Sequence, residues 1–357
     1  ALGVARTAEA VKRFAEENMA QGSLDYLRWI ETESRLRTQL AGLLNAPSAD
    51  DIALLKNTSE ALSVVAHGLS WSAGDNVVIS DEEFPSNRIV WESLKPLGVE
   101  VRQVNLWSGD SPEEALMAAV DGRTRILAIS SIEYATGLRM DLKRLGAFCR
   151  DQGVLFCVDA IQSLGALPMD VQAIHADFVM ADGHKWMLGP EGLAVFYCRA
   201  ERRDSLNLHQ FGWHMVEEHL DFDRRDWAPA GSGRRFECGS PNMLGVFALS
   251  ASLSLLEETG MEQVAAQVEA NARHLMDGLE AIPGAQLITP RDPDRHGGIV
   301  TFRLADVAVD TLYTALQERR VLCAKRGGGV RFSPHFYTPT AKQDAALGLV
   351  DDIRQGP

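Results

Sequence analysis

Short apolar runs alternate with longer stretches of helical periodicity between about residues 50 and 200. The runs are rich in Val, Ile and Leu and predict buried strands; they lie at residues 52–55, 76–80, 99–104, 125–131, 155–159, 177–180 and 193–197. The stretches between them predict helices; they lie at residues 60–68, 86–97, 112–120 and 142–153. Alternating strands and helices predict βαβ units, and nearly continuous apolar strands predict a sheet covered on both faces. The expected core is a largely parallel α/β sheet.

The pattern changes after residue 221. The segment DFDRRDWAPAGSGRRFECGSPN is rich in Gly, Pro and charge and has no period, which is typical of a functional loop. Helical stretches follow at residues 243–258 and 261–282, and residues 297–333 predict a small second α/β unit. We therefore expect an N-terminal helical segment over residues 1–20, a large domain over 21–240, and a linker helix with a small C-terminal domain over 241–357.

The composition is that of an ordinary globular protein, with 357 residues of which 46% are hydrophobic and 24% charged. This length suits about two domains. A net charge of −14, from 49 acidic and 35 basic residues, repels a phosphate backbone or an anionic membrane. We therefore expect no nucleic-acid partner and no membrane partner.

The cysteines and the N-terminus indicate a cytoplasmic location. The 5 cysteines have no CxxC spacing and mostly lie in apolar runs, which predicts buried free thiols in a reducing compartment. The N-terminal sequence ALGVARTAEAVKRF is amphipathic and lacks the pattern of a signal peptide.

The strongest candidate for chemistry is Lys185 in ADGHKWMLGPEG. It follows a predicted buried strand and precedes a Gly-Pro turn, although lysine is rarely buried. A lysine desolvated in such a turn can form a Schiff base with a carbonyl cofactor. The alternative is a solvated loop lysine beside a packing tryptophan, and the motif alone does not separate the two.

Two further segments are candidates for ligand binding. Asp159 ends the apolar strand VLFCVD, so it lies at the carboxyl edge of the sheet, where open α/β folds bind ligands; it can equally cap the following helix. In KNTSEAL, small hydroxyl residues open a helix, which suits a phosphate. The same residues also make an ordinary helix cap.

Six segments, in this order, resemble the class V aminotransferase family of fold type I pyridoxal 5'-phosphate (PLP) enzymes. They are KNTSEAL, EEFPSN, VDAIQS, ADGHKWMLGPEG, RRFECGSPN and GGGVRFSPHFY. The family also contains cysteine desulfurases, selenocysteine lyases, kynureninases and isopenicillin N epimerases. The resemblance covers nearly the whole chain and implies PLP as cofactor, a large mostly parallel-sheet domain with a small α/β domain, and a homodimer.

The resemblance also implies roles for individual residues. Lys185 resembles the lysine that forms the Schiff base and moves the substrate proton, Asp159 the partner of the pyridine nitrogen, and Gln162 the partner of the phenolic oxygen. The residues implied around the phosphate are Thr58, Ser59, Glu60 and His184. Phe84 or Pro85 stands where the family stacks a ring on the cofactor; desulfurases have a histidine there, so this difference points away from that branch.

Three residues are implied in binding across subunits or to the substrate. Ser240 resembles a hydroxyl residue that reaches the phosphate of the neighbouring subunit, or it is only a turn before a helix. Arg331, beside three glycines, resembles the arginine that holds the substrate carboxylate, a role that suits a planar guanidinium. Tyr134 stands where desulfurases have an asparagine near the phenolic oxygen, and it either donates that hydrogen bond or packs.

Some residues depart from the family pattern. Asp182 replaces a serine or threonine that faces the phosphate in many relatives, and its role is open. Desulfurases carry a nucleophilic cysteine on a loop before the arginine, whereas here only AKRGGG separates Cys323 from VRFS, so we expect Cys323 in a strand. His209 and His214 lack further ligands for zinc, and we expect no metal.

The first hypothesis is a PLP-dependent enzyme that acts on an α-amino acid through Lys185, and transamination is its simplest form. A carbon–sulfur lyase of the desulfurase kind or an epimerase is the alternative, because one carbanion can reprotonate or eliminate. A non-catalytic PLP-fold binding protein is the second alternative, although both Lys185 and Asp159 are present. A nucleotide-binding protein is disfavoured because GxGxxG and GxxxxGK[ST] are both missing.

Overall fold

The computed structural model describes residues 4–356, which divide into two compact units. Residues 4–131 and 141–259 form the large unit, and residues 132–140 and 260–356 form the small unit. Helix Met243–Thr259 has its contacts in the large unit, whereas the sequence pattern grouped it with the small domain. A short stretch at 132–140 joins the small unit although it lies between two strands of the large one.

Within residues 4–356, the large unit contains seven α-helices and seven β-strands. They are α1 Ala5–Gln21, α2 Tyr26–Leu44, β1 Ile52–Leu55, α3 Thr58–Gly68, β2 Asn76–Ser80, α4 Pro85–Glu92, β3 Glu100–Val104, α5 Pro112–Ala118, β4 Thr124–Ser130, α6 Leu142–Gln152, β5 Leu155–Asp159, β6 Phe178–Asp182, β7 Ala194–Cys198 and α7 Met243–Thr259. All seven predicted strands are present. The predicted helix 86–97 ends early, at Glu92, and a separate 3₁₀ turn contains Pro96, because proline has no N–H for an α-helical bond.

The seven strands form one sheet in the order β1-β7-β6-β5-β4-β2-β3. Strands β2 to β6 pair in parallel, and β7 is antiparallel to both β6 and β1. The expectation of a largely parallel sheet is confirmed. This order brings the carboxyl ends of β4, β5 and β6 side by side, at the edge that is favourable for ligands.

Helices cover the sheet through apolar faces. Residues Leu62 and Val65 of α3 and Trp91 of α4 pack with β2, β4 and β6 in one buried cluster. Cys149, Cys157 and Cys198 are buried and free, as expected, and burial raises the pKa of Cys149 to about 12. These thiols therefore act as small apolar side chains.

The small unit is an antiparallel sheet covered by helices. Its elements are α8 Met261–Glu280, β8 Ala285–Leu287, β9 Val300–Leu304, α9 Val309–Glu318, β10 Ala324–Arg326, β11 Gly329–Phe332 and α10 Thr340–Gln355. The strand order is β10-β11-β9-β8, and Phe302, Leu312, Leu316 and Val350 lie in its core. None of the helices within residues 4–356 has the length and apolar character needed to cross a membrane.

Candidate active site

The predicted catalytic residues lie at the carboxyl edge of the large sheet. Asp159 is the last residue of β5, and Asp182 is the last residue of β6. Lys185 follows β6 in a tight turn, in which the N–H of Gly189 bonds to the carbonyl of Gly183 at 2.8 Å. The strand order therefore brings Asp159 and the Lys185 turn to neighbouring strand ends.

Close packing determines the shape of the Lys185 turn. Gly165 has φ +93°, and a Cβ there would lie 2.6 Å from the backbone of Trp186. On the other side, the hydroxyl of Ser252 in α7 donates to the carbonyl of Leu188 at 3.0 Å. The turn is thus held on one side by Gly165, where a side chain does not fit, and on the other side by a buried hydrogen bond.

The Asp159 carboxylate is almost fully buried and 2% exposed. It accepts a hydrogen bond from the N–H of Ile161 at 3.0 Å. Burial raises the pKa of Asp159 to about 6, although the Ile161 N–H and the positive charge of Lys185 oppose the increase. A buried acid of this kind is suited to a cationic partner such as a protonated ring nitrogen.

Two predicted cofactor residues flank Lys185. The Nζ atom of Lys185 lies 5.7 Å from the ring centroid of Phe84, which is the N-cap residue of α4 and 39% exposed. The amide oxygen of buried Gln162 accepts from the indole N–H of Trp186 at 3.4 Å. Phe84 therefore presents an aromatic face on the side of the lysine amine.

The predicted phosphate residues lie at the start of α3, where Asn57 caps the helix by accepting from the N–H of Glu60 at 2.8 Å. Thr58 is tied to Asp182: its N–H donates to the carboxylate at 3.3 Å, and its hydroxyl accepts from the Asp182 N–H at 3.1 Å. The Ser59 hydroxyl donates to Ser86 at 2.8 Å. The Glu60 carboxylate turns back to accept from the N–H of Lys56 at 2.7 Å.

Asp182 and His184 leave buried polar atoms without partners. The second oxygen of Asp182 lies 4.0 Å from Nδ1 of His184, and neither atom has a hydrogen-bond partner within residues 4–356. Burial raises the pKa of Asp182 and lowers the pKa of His184. The unpaired His184 nitrogen lies beside the N-terminus of α3, and in its N–H form it can donate to a phosphate oxygen of a cofactor. The Asp182 carboxylate is itself an acceptor and bonds to the Thr58 N–H instead. The donor set, the lysine and the buried acid together fit PLP.

Arg331 and Tyr134 lie in the small unit. A guanidinium N–H of Arg331 donates to the backbone carbonyl of Tyr134, while the Nε atom of Arg331 is buried without a partner among the described residues. Burial lowers the pKa of Arg331. Ser240 is exposed in the loop before α7.

The two histidines considered for metal binding have different surroundings. Nε2 of His209 contacts the backbone carbonyl of His67 at 2.5 Å, whereas buried His214 lies near the carboxylates of Glu33 and Glu237. Arg37 already donates to both carboxylates, so this group is a buried ion-pair cluster.

Glu83, in the segment EEFPSN, is a buried residue of this edge that was not predicted from the sequence. Its carboxylate is 5% exposed and lies at the same edge of the sheet as Asp159. The signal for it in the sequence is its position directly before Phe84, the predicted stacking residue.

A mostly parallel sheet with a lysine turn and a buried acid at its carboxyl edge defines a fold type I PLP enzyme. The family model for class V aminotransferases matches residues 21–336. A protein named probable cysteine desulfurase from Methanothermobacter thermautotrophicus is 31% identical over 94% of this chain and 87% of its own length. The chain therefore belongs to the class V aminotransferase family, and its cofactor is PLP.

Solved structures share the fold. The cysteine desulfurase CsdA from Escherichia coli has a TM-score of 0.85 at 26% identity and covers 98% of this chain and 91% of its own. A mutant of C-DES with glycine covalently linked to PLP has a TM-score of 0.90 at 23% identity and covers 98% and 94%. The expectations of the family, the fold class and the cofactor are confirmed.

Proposed function

We propose that the chain is a PLP-dependent carbon–sulfur lyase that acts on cysteine or a cysteine-like amino acid. The main support for an enzymatic role is the position of Lys185. It lies beside the phenyl ring of Phe84, in the turn after β6, and buried Asp159 ends the neighbouring strand β5. The similarity to a probable cysteine desulfurase over 94% of the chain supports a sulfur-containing substrate. This favours the alternative of the sequence analysis over plain transamination.

Four of the five thiols of this chain argue against sulfur transfer to a protein cysteine. Cys149, Cys157 and Cys198 are buried. Cys323 lies just before β10 rather than in a strand, and burial raises its pKa. A nucleophilic cysteine needs an exposed thiol with a lowered pKa, which these four do not provide. We therefore propose that the sulfur leaves as a small thiolate product.

The residues take the following roles. Lys185 would link the cofactor aldehyde and take the proton from the substrate Cα. Asp159 would hold the pyridine nitrogen, Gln162 the phenolic oxygen and Phe84 a face of the ring. Bound PLP supplies an electron sink for negative charge at Cα.

Other residues orient the phosphate and the substrate. The start of α3 at Thr58 and Ser59, together with the His184 side chain, would hold the phosphate, and Glu60 orders this end of the helix by accepting from the Lys56 N–H. Arg331 binds the substrate carboxylate, with Tyr134 supporting it through its carbonyl. Ser240 contributes to the phosphate site of a second copy, so the active form is a homodimer.

The reaction balances without a further oxidant or reductant. The base takes the Cα proton, the Cβ–S bond breaks, and its electron pair leaves with sulfur as a thiolate. Addition of water to the remaining three-carbon unit gives pyruvate and ammonium.

The test is incubation of the PLP-loaded enzyme with L-cysteine and L-cystine without a keto acid. A lyase releases pyruvate and ammonium in equal amounts over many turnovers, with sulfide from cysteine or persulfide from cystine. A single turnover that leaves the cofactor in its pyridoxamine form would instead identify an aminotransferase. Lys185→Ala is the control, because it removes the base and leaves the rest of the site.

A further inference from the structure

The carboxylate of Glu83 is a buried anchor between β2 and α4. It accepts the N–H of Ser130 at 2.7 Å, the hydroxyl of Ser130 at 2.6 Å and the amide N–H of Asn87 at 2.9 Å. Asn87 is fully buried and accepts in turn from the indole N–H of Trp91 at 2.9 Å. Burying a carboxylate is costly unless it is hydrogen-bonded, and here three donors satisfy it.

These bonds connect Glu83 to the strand beside Asp159. Ser130 is the register partner of Asp159 across the β4–β5 pair. The N–H of the next residue, Ser131, donates to the Asp159 carbonyl at 2.9 Å. The N–H of Ser130 points to the opposite edge of β4, toward β2, but β2 ends at Ser80. The Glu83 carboxylate therefore accepts this N–H in place of a β2 carbonyl.

Glu83 is also the immediate neighbour of Phe84. The Phe84 ring lies 5.7 Å from Nζ of Lys185, and the α4 helix begins at the following residue. Because Asn87 in the first turn of α4 also bonds to Glu83, the carboxylate fixes the backbone on both sides of Phe84. One side chain therefore holds the aromatic face and the strand that borders Asp159.

We propose that Glu83 is a positioning residue for PLP, which fixes the Phe84 ring relative to Asp159 through Ser130 and Asn87. The inference rests on the cofactor roles proposed above for Phe84 and Asp159. The proximity of two buried acids supports it: burial, together with the charge of Asp159, raises the pKa of Glu83 to about 7.

The test compares Glu83→Ala and Glu83→Gln with Glu82→Gln as the matched control. Glu82 is the adjacent carboxylate, and it accepts from the indole N–H of Trp107 at 2.8 Å on the exposed side of the loop. For each holoenzyme, the dissociation constant of PLP and the visible circular dichroism of the bound cofactor are measured. The second quantity reports how the cofactor is oriented, which a loss of stability alone does not change.

We expect Glu83→Ala to weaken PLP binding about tenfold or more and to change the visible circular dichroism. Glu83→Gln keeps an acceptor for Ser130 but faces the Asn87 amide with a donor, so its effect is intermediate. Glu82→Gln leaves both quantities within about twofold of wild type. Wild-type affinity and an unchanged dichroism in Glu83→Gln, with only a lower unfolding temperature, would overturn the proposal.

Failure of the Glu83 proposal can be distinguished from failure of the lyase proposal. If Glu83→Ala does not fold, the comparison of Glu83→Gln with Glu82→Gln decides the matter. If the wild type binds PLP but releases no pyruvate from cysteine or cystine, the lyase proposal fails while the Glu83 comparison still stands.

Discussion

At the scale of single residues, the site combines groups whose burial is unfavourable without a cofactor. The buried Asp159 carboxylate accepts from the Ile161 N–H, and Asp182 and His184 each leave a buried atom without a partner among residues 4–356. Such groups lower the stability of the empty protein and increase its affinity for a complementary ligand.

Replacing Lys185 by alanine removes the proposed base and the link to the cofactor. We expect turnover to fall by about 10²–10⁴-fold and the visible band of the linked cofactor to be lost. The measurement is steady-state pyruvate release together with the absorption spectrum. A variant that still eliminates sulfur at the wild-type rate would show that another residue is the base.

Asp159→Asn should have opposite effects on the empty protein and on the cofactor. The folded pKa of Asp159 is raised to about 6 from 3.8, so its contribution to stability is present below about pH 4 and is lost as the pH rises through about 6. At pH 8 the amide avoids burying a charge and stabilises the cofactor-free protein by up to about 3 kcal/mol.

The same substitution removes the acceptor charge for the pyridine N–H, so PLP affinity and turnover fall. Thermal unfolding of the cofactor-free variant at pH 4 and pH 8, beside PLP titration, tests both effects. A variant less stable than wild type at pH 8 would contradict the argument.

At the scale of elements, the start of α3 has both a structural and a binding role. Asn57 caps it, and Thr58 ties it to the end of β6 through Asp182. The helix dipole and its first N–H groups then favour an anion at this end.

Asn57→Ala should cost about 1 kcal/mol of unfolding free energy and also weaken PLP binding, because it disorders the phosphate end of α3. Ser111→Ala is the matched control: Ser111 caps α5 by accepting from the Glu114 N–H at 3.2 Å. Urea unfolding should show similar losses for both variants. Equal PLP affinity in the two variants would mean that α3 does not bind the phosphate.

At the scale of the whole molecule, the proposal requires a second copy of the chain. Large apolar side chains are exposed on the segment 211–227; they are Phe211, Leu220, Phe222 and Trp227. Exposed aromatic clusters of this kind often mark protein contacts. Sedimentation should therefore show a dimer.

Mixing two inactive or weakened variants tests the shared site. Ser240→Ala should weaken PLP binding about fivefold through one lost hydrogen bond. In a mixed dimer with Lys185→Ala subunits, one site combines native Lys185 with native Ser240 and should regain wild-type affinity. No recovery on mixing would place Ser240 outside the neighbouring site.

The sequence by itself determined the strands, the lysine turn and the cofactor. Apolar runs such as VLFCVD and glycine-rich turns such as that of Lys185 are local signals, because burial and backbone conformation act on neighbouring residues. The family segments then identified PLP. All of these could be found without knowledge of the strand order.

Only the tertiary structure decided which distant residues meet. It made β7 antiparallel, directed Asp182 to the Thr58 N–H, and assigned residues 132–140 to the small unit. It also buried Glu83 against Ser130, a contact that an acidic residue before Phe84 in EEFPSN does not by itself specify. These contacts join residues far apart in the chain, so they depend on strand order and packing, which the local periodicity of a sequence does not contain.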